Sequence, residues 1–288
     1  MALVIGGNAT VATGMSPIVD AALAADDVFI DGVSYSSEHE IGAAGQIQVV
    51  CGSLDAVDPT VPGADFNHNS YANTVKDINC NNSFKDSVKV PAYFEASMPV
   101  DVLMSKTLQV TESCRVGRQK AILGGLVYSL SSAQKGTMGT SGIVADILAT
   151  RAKLRKKNAK PNVVLADVET YSDMLATAGS KYIPYKNEEI IASGRIGYYL
   201  GMLWIEVSFM GESNQSVKFY DATGTLRTVD VSAIKYIMYQ SDKLAVVDRL
   251  DGLRIKESEN FFGSLVQEEL VAGILVKNAD AFFCVSAS

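Results

Sequence analysis

The sequence predicts an α+β protein, on two observations. Short apolar runs alternate with polar residues, as Leu203, Ile205, Val207 and Phe209 do with Trp204, Glu206 and Ser208, which is strand periodicity. Elsewhere apolar residues recur at helical spacing, as Tyr171, Met174, Leu175 and Ala178 do. With 288 residues, 48% apolar and 20% charged, the chain is a globular one, long enough for one large domain or two modest ones with a sizeable core.

The stretch Asn162–Met210 shows both periodicities in one compact unit. Val163, Val164 and Leu165 read as a short buried strand, and Asp167 as the N-cap of a helix with Glu169 in its first turn. Gly179 stands where that helix stops. A glycine-punctuated loop, Gly194-Arg195-Ile196-Gly197 and then Gly201, leads into the alternating strand, and tight turns are expected at Gly197 and Gly201. Nothing in this unit is placed like a catalytic group.

In chain order, residues 1–30 read as a flexible arm with a short helix from Pro17 to Ala25. Its Leu3-Val4-Ile5-Gly6-Gly7 start lacks the spacing of a phosphate-binding loop. Residues 31–97 are dense in glycine, asparagine, serine and proline, with short apolar runs at Ile47–Val50 and Val88–Val90 and turns at Pro59–Gly63 and Asn79–Ser83. This composition predicts an extended two-stranded arm that buries itself against something else; an ordinary surface hairpin is the alternative. Two helices are expected next, one holding Val100, Leu103, Met104 and Leu108, the other Arg115 to Leu130. Gly124-Gly125 inside the second costs about 1 kcal/mol per residue against alanine, tolerable where a neighbouring backbone packs closely. A further helix is expected from a Ser141 cap to Asn158, with Ile143, Val144, Ile147, Leu148 and Leu154 as its stripe. It ends in Arg151, Lys153, Arg155, Lys156, Lys157 and Lys160, which reads as a solvated C-terminus favoured by the helix dipole; nucleic-acid contact is the alternative. Hairpins follow around Asp221–Gly224 and Asp251-Gly252. Phe261 to Val285 reads as two long strands, with Gln267-Glu268-Glu269 and Lys277–Asp280 at bends or exposed edges.

Composition narrows the function. A net charge of −7 argues against a protein that coats duplex DNA through phosphate neutralisation. Cys51, Cys80, Cys114 and Cys284 form no C-x-x-C pair and the only histidines are His39 and His68, so no metal site is expected and the thiols read as reduced and mostly buried. No secretory signal and no membrane-spanning run is evident, so a soluble protein made in a cytoplasm is expected. For an enzyme, neither histidine sits beside a nucleophile pattern, and the pairs Glu188-Glu189 and Glu268-Glu269 are adjacent in sequence, which is not a glycosidase geometry. No catalytic, cofactor-binding or metal-binding residue is predicted.

Four segments together resemble the major capsid proteins of tailed bacteriophages, the Hong Kong 97 type. They are Ile143 to Asn158 with Pro161–Leu165 and Tyr171–Leu175; Gly194 to Gly201 with the strand ending at Ser208; Leu253 to Leu270, with Glu268-Glu269; and Val276-Lys277-Asn278-Ala279-Asp280-Ala281-Phe282. The resemblance implies a Hong Kong 97-like fold with an N-terminal arm at 1–30, an extended E-loop region at 31–97 and a P domain with a spine helix at 98–139. The A domain would be 140–255, with P-domain return strands at 256–288. It implies a structural protein that self-assembles as pentamers and hexamers into the icosahedral shell of a virion. The implied partners are other copies of the chain, a separate scaffolding protein, a portal and packaged double-stranded DNA held non-specifically, with no membrane. A bacterial nanocompartment shell of the encapsulin type, enclosing cargo enzymes, is the alternative. Some relatives join subunits by a lysine–asparagine isopeptide bond. Here Asn260 is one place off the acceptor position, and a one-residue shift turns a strand side chain to the opposite face, so no crosslink is expected.

Overall fold

A computed structural model describes residues 28–29, 40–41, 47–51, 74–78, 80–93, 102–181, 183–184, 196–211, 215–258 and 260–287. The expected Pro17–Ala25 helix, the Pro59–Gly63 turn, both histidines and Glu188-Glu189 lie outside the described residues.

The described fold has two main sheets joined by one long helix. The first sheet is three-stranded, in the order β13 (Leu244–Glu257), β14 (Gly263–Val276), β4 (Asn82–Pro91), antiparallel throughout. The second has seven strands: β5 (Lys135–Thr137), β15 (Phe282–Ser286), β12 (Ile234–Tyr239), β6 (Val163–Ala166), β9 (Met202–Glu206), β8 (Ile196–Tyr199) and β7 (Ile183–Pro184). Only β6–β9 and β15–β5 are parallel in it. A small sheet of β1 (Glu40–Ile41), β2 (Ile47–Cys51) and β3 (Thr74–Ile78), and a hairpin of β10 (Ser216–Tyr220) and β11 (Leu226–Asp230), complete the strands.

Helix α1, Val102–Tyr128, is a single helix of 27 residues where two were expected. The polar run around Gln109–Ser113 breaks the apolar pattern without breaking the helix, because Thr107, Thr111, Arg115, Arg118 and Gln119 are buried on it. Its N-terminal half packs Leu103 and Val110 with Val90 and Val266 of the three-stranded sheet. Its C-terminal half sends Ile122, Leu123, Leu126 and Val127 into the main core with the seven-stranded sheet. One rod of about 40 Å therefore ties the two sheets together. Gly124 and Gly125 sit where the contact is closest: a Cβ on Gly124 would lie 2.9 Å from both Phe219 and Val217, and one on Gly125 would lie 2.8 Å from Ile274.

Helix α2, Ile143–Lys156, is capped by Gly142 with no side-chain bond, so Ser141 is not its cap, and it ends before Asn158, whose φ is +61°. Thr150 takes the place expected of Leu148 on the buried face; Leu148 is 46% exposed. Helix α3, Val168–Ala178, follows the sequence reading: Asp167 accepts from the Thr170 amide at 2.8 Å, and Gly179 closes the helix at φ +50°. The described part of Asn162–Met210 holds β6, α3 and then three strands, β7, β8 and β9, where one strand was expected after the helix, with β9 parallel to β6.

Four further expectations are corrected. Met202, Leu203, Trp204 and Ile205 are all buried, because β9 is an inner strand covered on both faces, not a half-exposed one. Gly197 is an ordinary strand residue opposite Trp204, and the turn is made by Leu200 and Gly201, at φ +54° and +72°. Asp251-Gly252 is no hairpin turn: β13 continues through it, with a register shift between Asp248 and Leu250. Of the two long final strands expected, only β14 is long; the chain turns at Ala279–Ala281 and β15 joins the seven-stranded sheet between β12 and β5. The Asp221–Gly224 hairpin forms as read, with Tyr220 opposite Leu226 and Gly224 at φ +76°. β4, from the segment expected to be an extended arm, is a strand of the helix-backed sheet, and β13 runs across position 255.

Candidate assembly surface

The seam between α1 and the three-stranded sheet is polar at its centre. Alternation along β14 turns Ser264, Val266, Glu268 and Leu270 inward, so Glu268 is 3% exposed, not on an edge, and accepts from Thr111 Oγ1 at 2.6 Å. Glu269 points outward to Lys85 at 3.0 Å, and the two acids of the pair therefore lie on opposite faces. Arg118 meets Asp248 through two parallel bonds of 2.7 and 2.8 Å, and Arg115 pairs with Glu112. The Arg118–Asp248 pair joins α1 to β13, and losing its carboxylate would leave a buried guanidinium unpaired, so it holds the helix on the sheet in one register; Arg115–Glu112 lies within α1 itself.

The small β1–β2–β3 sheet is rooted on this unit. Val49 and Ile78 pack on Ala245, with Val247 and Leu275 beside them. Cys80-Asn81 lead into β4, which already includes Asn82 and Ser83 of the expected Asn79–Ser83 turn, and two asparagines hold this connection to the β10–β11 hairpin. Asn82, buried, acts as a substitute peptide group: its carbonyl accepts from the Tyr220 amide at 2.7 Å and its Nδ2 donates to the Tyr220 carbonyl at 3.3 Å. Asn81 donates to the Asp221 carbonyl at 2.9 Å. The hairpin loop is stiffened by Asp221, whose carboxylate accepts from the Thr223 hydroxyl and amide, the Thr225 amide and Arg227. These bonds, the Thr223 hydroxyl first, hold its acid well below the usual carboxylate range. Lys76 adds a bond to the Lys277 carbonyl at 3.3 Å.

The basic end of α2 is dispersed. Arg151 donates to the Leu200 carbonyl, Lys153 lies 4.8 Å from the centre of the Phe283 ring, and Lys157 pairs with Asp280 at 2.7 Å. That bond is the main cause holding the Asp280 carboxyl below its ordinary value. Arg155, Lys156 and Lys160 project into solvent.

Among the described residues no group of three histidine, cysteine or carboxylate side chains is placed to hold a metal ion, and no helix is long and apolar enough to cross a membrane. Burial pushes the Cys284 thiol up to about 11, far from a reactive thiolate. Sequence reading did not find the Asn82 clamp, the Arg118–Asp248 pair or the inward Glu268. The last was signalled by the two-residue period shared with Val266 and Leu270.

No family model and no curated protein matches the sequence. Solved structures do match in fold. A chain from Mycobacterium phage Che8 superposes with a TM-score of 0.56 at 14% identity, over 90% of this chain and 96% of that one. A chain of the bacteriophage PhiM1 mature capsid gives 0.55 at 14% identity, over 91% and 87%. This chain has the Hong Kong 97-like capsid fold. A chain of the SrpI encapsulin complex from Synechococcus elongatus is similar at a TM-score of 0.51 and 13% identity, over 83% and 81%. In the Hong Kong 97-like fold of this chain, the α1 seam and the clamped arm root form one continuous support, since β14 carries both.

Proposed function

We propose that this chain is the major capsid protein of a tailed phage, a structural and not a catalytic protein. Copies assemble as pentamers and hexamers into an icosahedral shell around double-stranded DNA. The observation that carries this reading is coverage in both directions. The superposition covers 90% of this chain and 96% of a Mycobacterium phage chain. In this reading α1 is the spine helix, the three-stranded sheet belongs to the P domain, the seven-stranded sheet to the A domain, and β1–β3 to the E-loop. The rod-like tie between the sheets supports a load-sharing role, because force on either sheet passes through α1 without a flexible joint.

A separate scaffolding protein, a portal and non-specific contact with packaged DNA complete the proposal, with the virion as location. An encapsulin-like shell around cargo enzymes is the second reading, favoured by the similar SrpI chain. The test is to isolate particles from cells making the chain together with its neighbouring phage genes and to treat them with nuclease. Protected double-stranded DNA of uniform length supports the phage shell. Particles holding a stoichiometric enzyme and no DNA overturn it in favour of the nanocompartment.

A further inference from the structure

We infer that the cleft where α1, the β10–β11 hairpin, β14 and β3 meet is a binding site for a small aromatic acid in its anionic form. The site belongs to the single chain, so the inference stands or falls apart from the shell reading.

The cleft follows from how its walls are held. The hairpin sets Val217 and Phe219 against Gly124, and β14 sets Ile274 against Gly125, so both elements close on the last turns of α1. Past that contact the helix ends at Tyr128, while β3 is held through Ile78 on Ala245 and Leu275. A cavity of about 480 Å³ is left between them. Its buried lining includes Gly125 and Phe219, and its exposed lining includes Lys76, Tyr128, Tyr220 and Ala222. An apolar floor with a few polar groups around it is the ordinary make-up of a small-molecule site. The walls are fixed before any ligand arrives. Asn81 and Asn82 bind the hairpin, Asp221 stiffens its loop, and Lys76 donates to the Lys277 carbonyl. A site already shaped loses little freedom on binding.

Charge and hydrogen bonding choose the occupant. Two carboxylates line the cavity, but Asp221 is taken up by Arg227, Thr223 and Thr225, and Asp77 is engaged too. Lys76, Lys277 and Arg227 stand against those two acids, which leaves a positive charge over. Lys76 itself has no carboxylate partner among the described residues. Tyr128 and Tyr220 are half exposed, and neither hydroxyl has a hydrogen bond among the described residues, so both can donate. A flat ring set against Phe219, with its anion at Lys76 and acceptor oxygens for the phenols, satisfies these groups together. A cationic ring of the same size would meet Lys76 with like charge.

The test titrates the full-length chain with 1-naphthoate, an aromatic carboxylate, and follows backbone amides by NMR. A Kd of about 1 mM is expected for a ligand of this size, with the Gly125 and Thr223 amides shifting along one saturation curve. Lys76→Gln should raise the Kd about fivefold or more. Ala222→Trp, at the exposed mouth, should abolish binding by filling it. The cation 1-naphthylmethylamine should bind about tenfold more weakly than the carboxylate. Tyr220 lines the cavity and its amide is held by Asn82, so the ligand at about ten times its Kd should slow exchange of that amide about tenfold. Lys156→Gln, on α2, should leave the Kd unchanged.

An unchanged Kd in both Lys76→Gln and Ala222→Trp would overturn the inference, since the probe would then be held elsewhere, as at the exposed Phe262. So would saturation by the amine as readily as by the carboxylate, or no shift at Gly125 and Thr223 with about 10 mM probe. Should Ala222→Trp disturb the hairpin, the two probes on the wild-type chain still decide. None of these outcomes bears on shell assembly, which the nuclease treatment of particles tests separately.

Discussion

Replacing Gly124 and Gly125 with alanine sets two physical arguments against each other. Helix propensity alone predicts that the double variant is more stable, by about 1 kcal/mol per site. The packing predicts the opposite. New Cβ atoms would lie 2.9 Å from Phe219 and Val217 and 2.8 Å from Ile274. The atoms met on Val217 and Ile274 are Cγ2 methyls, borne directly on Cβ, so neither can swing aside without leaving its rotamer. The hairpin and β14 must move instead, and overpacking of this kind costs about 1–3 kcal/mol per site. Two such sites cost about 2–6 kcal/mol and the propensity gain offsets about 2, so the double variant should lose about 2 kcal/mol, the middle of the resulting range. In a chain of this size that lowers the melting temperature by about 2–10 °C. Denaturant unfolding of the unassembled chain measures it, read as a shift in midpoint at constant slope. A variant more stable than wild type would refute the claim that α1 is pressed against the hairpin and β14 at these glycines.

Three other outcomes follow from the same geometry. Asn82→Ala removes both bonds to the Tyr220 backbone, at about 1 kcal/mol each, so the Tyr220 amide should exchange hydrogen about 30-fold faster; unchanged exchange would mean that the clamp does not form. Because the Asp221 acid is depressed in the folded chain, its contribution is complete above the ordinary value of 3.8 and is lost only as pH falls through the lower folded value; an NMR titration of its carboxyl with a midpoint near 3.8 would contradict the loop geometry. Neutralising Arg155, Lys156 and Lys157 removes one exposed pair with Asp280, and should shift unfolding by less than about 1 kcal/mol and leave any packaged nucleic acid unchanged; a packaging defect would assign this helix end to DNA.

Much of the seven-stranded sheet and its helices is legible in the sequence, because local signals and tertiary packing agree there. Asp167 caps, Gly179 stops, and Val163–Leu165 is buried as its composition demands. The long elements are harder to read. Polar residues inside α1 look like a break until Thr111 is seen to meet Glu268 and Arg118 to meet Asp248, contacts separated by more than a hundred positions in sequence. Asp251-Gly252 has the chemistry of a turn, yet thirteen paired positions along β13 and β14 carry the strand through it. The two-sided burial of β9 depends on which strands flank it, and local alternation holds no information about that. The Asn82 clamp was illegible for the same reason, since an asparagine beside a turn reads as turn chemistry and its partner lies 138 positions away.

The most direct test of the account is electron microscopy of the purified full-length chain, alone and with its scaffolding partner, across concentration and ionic strength. The account predicts closed icosahedral particles built from five- and six-membered rings, with α1 continuous in each subunit. A chain that remains a dispersed monomer under every condition would contradict it.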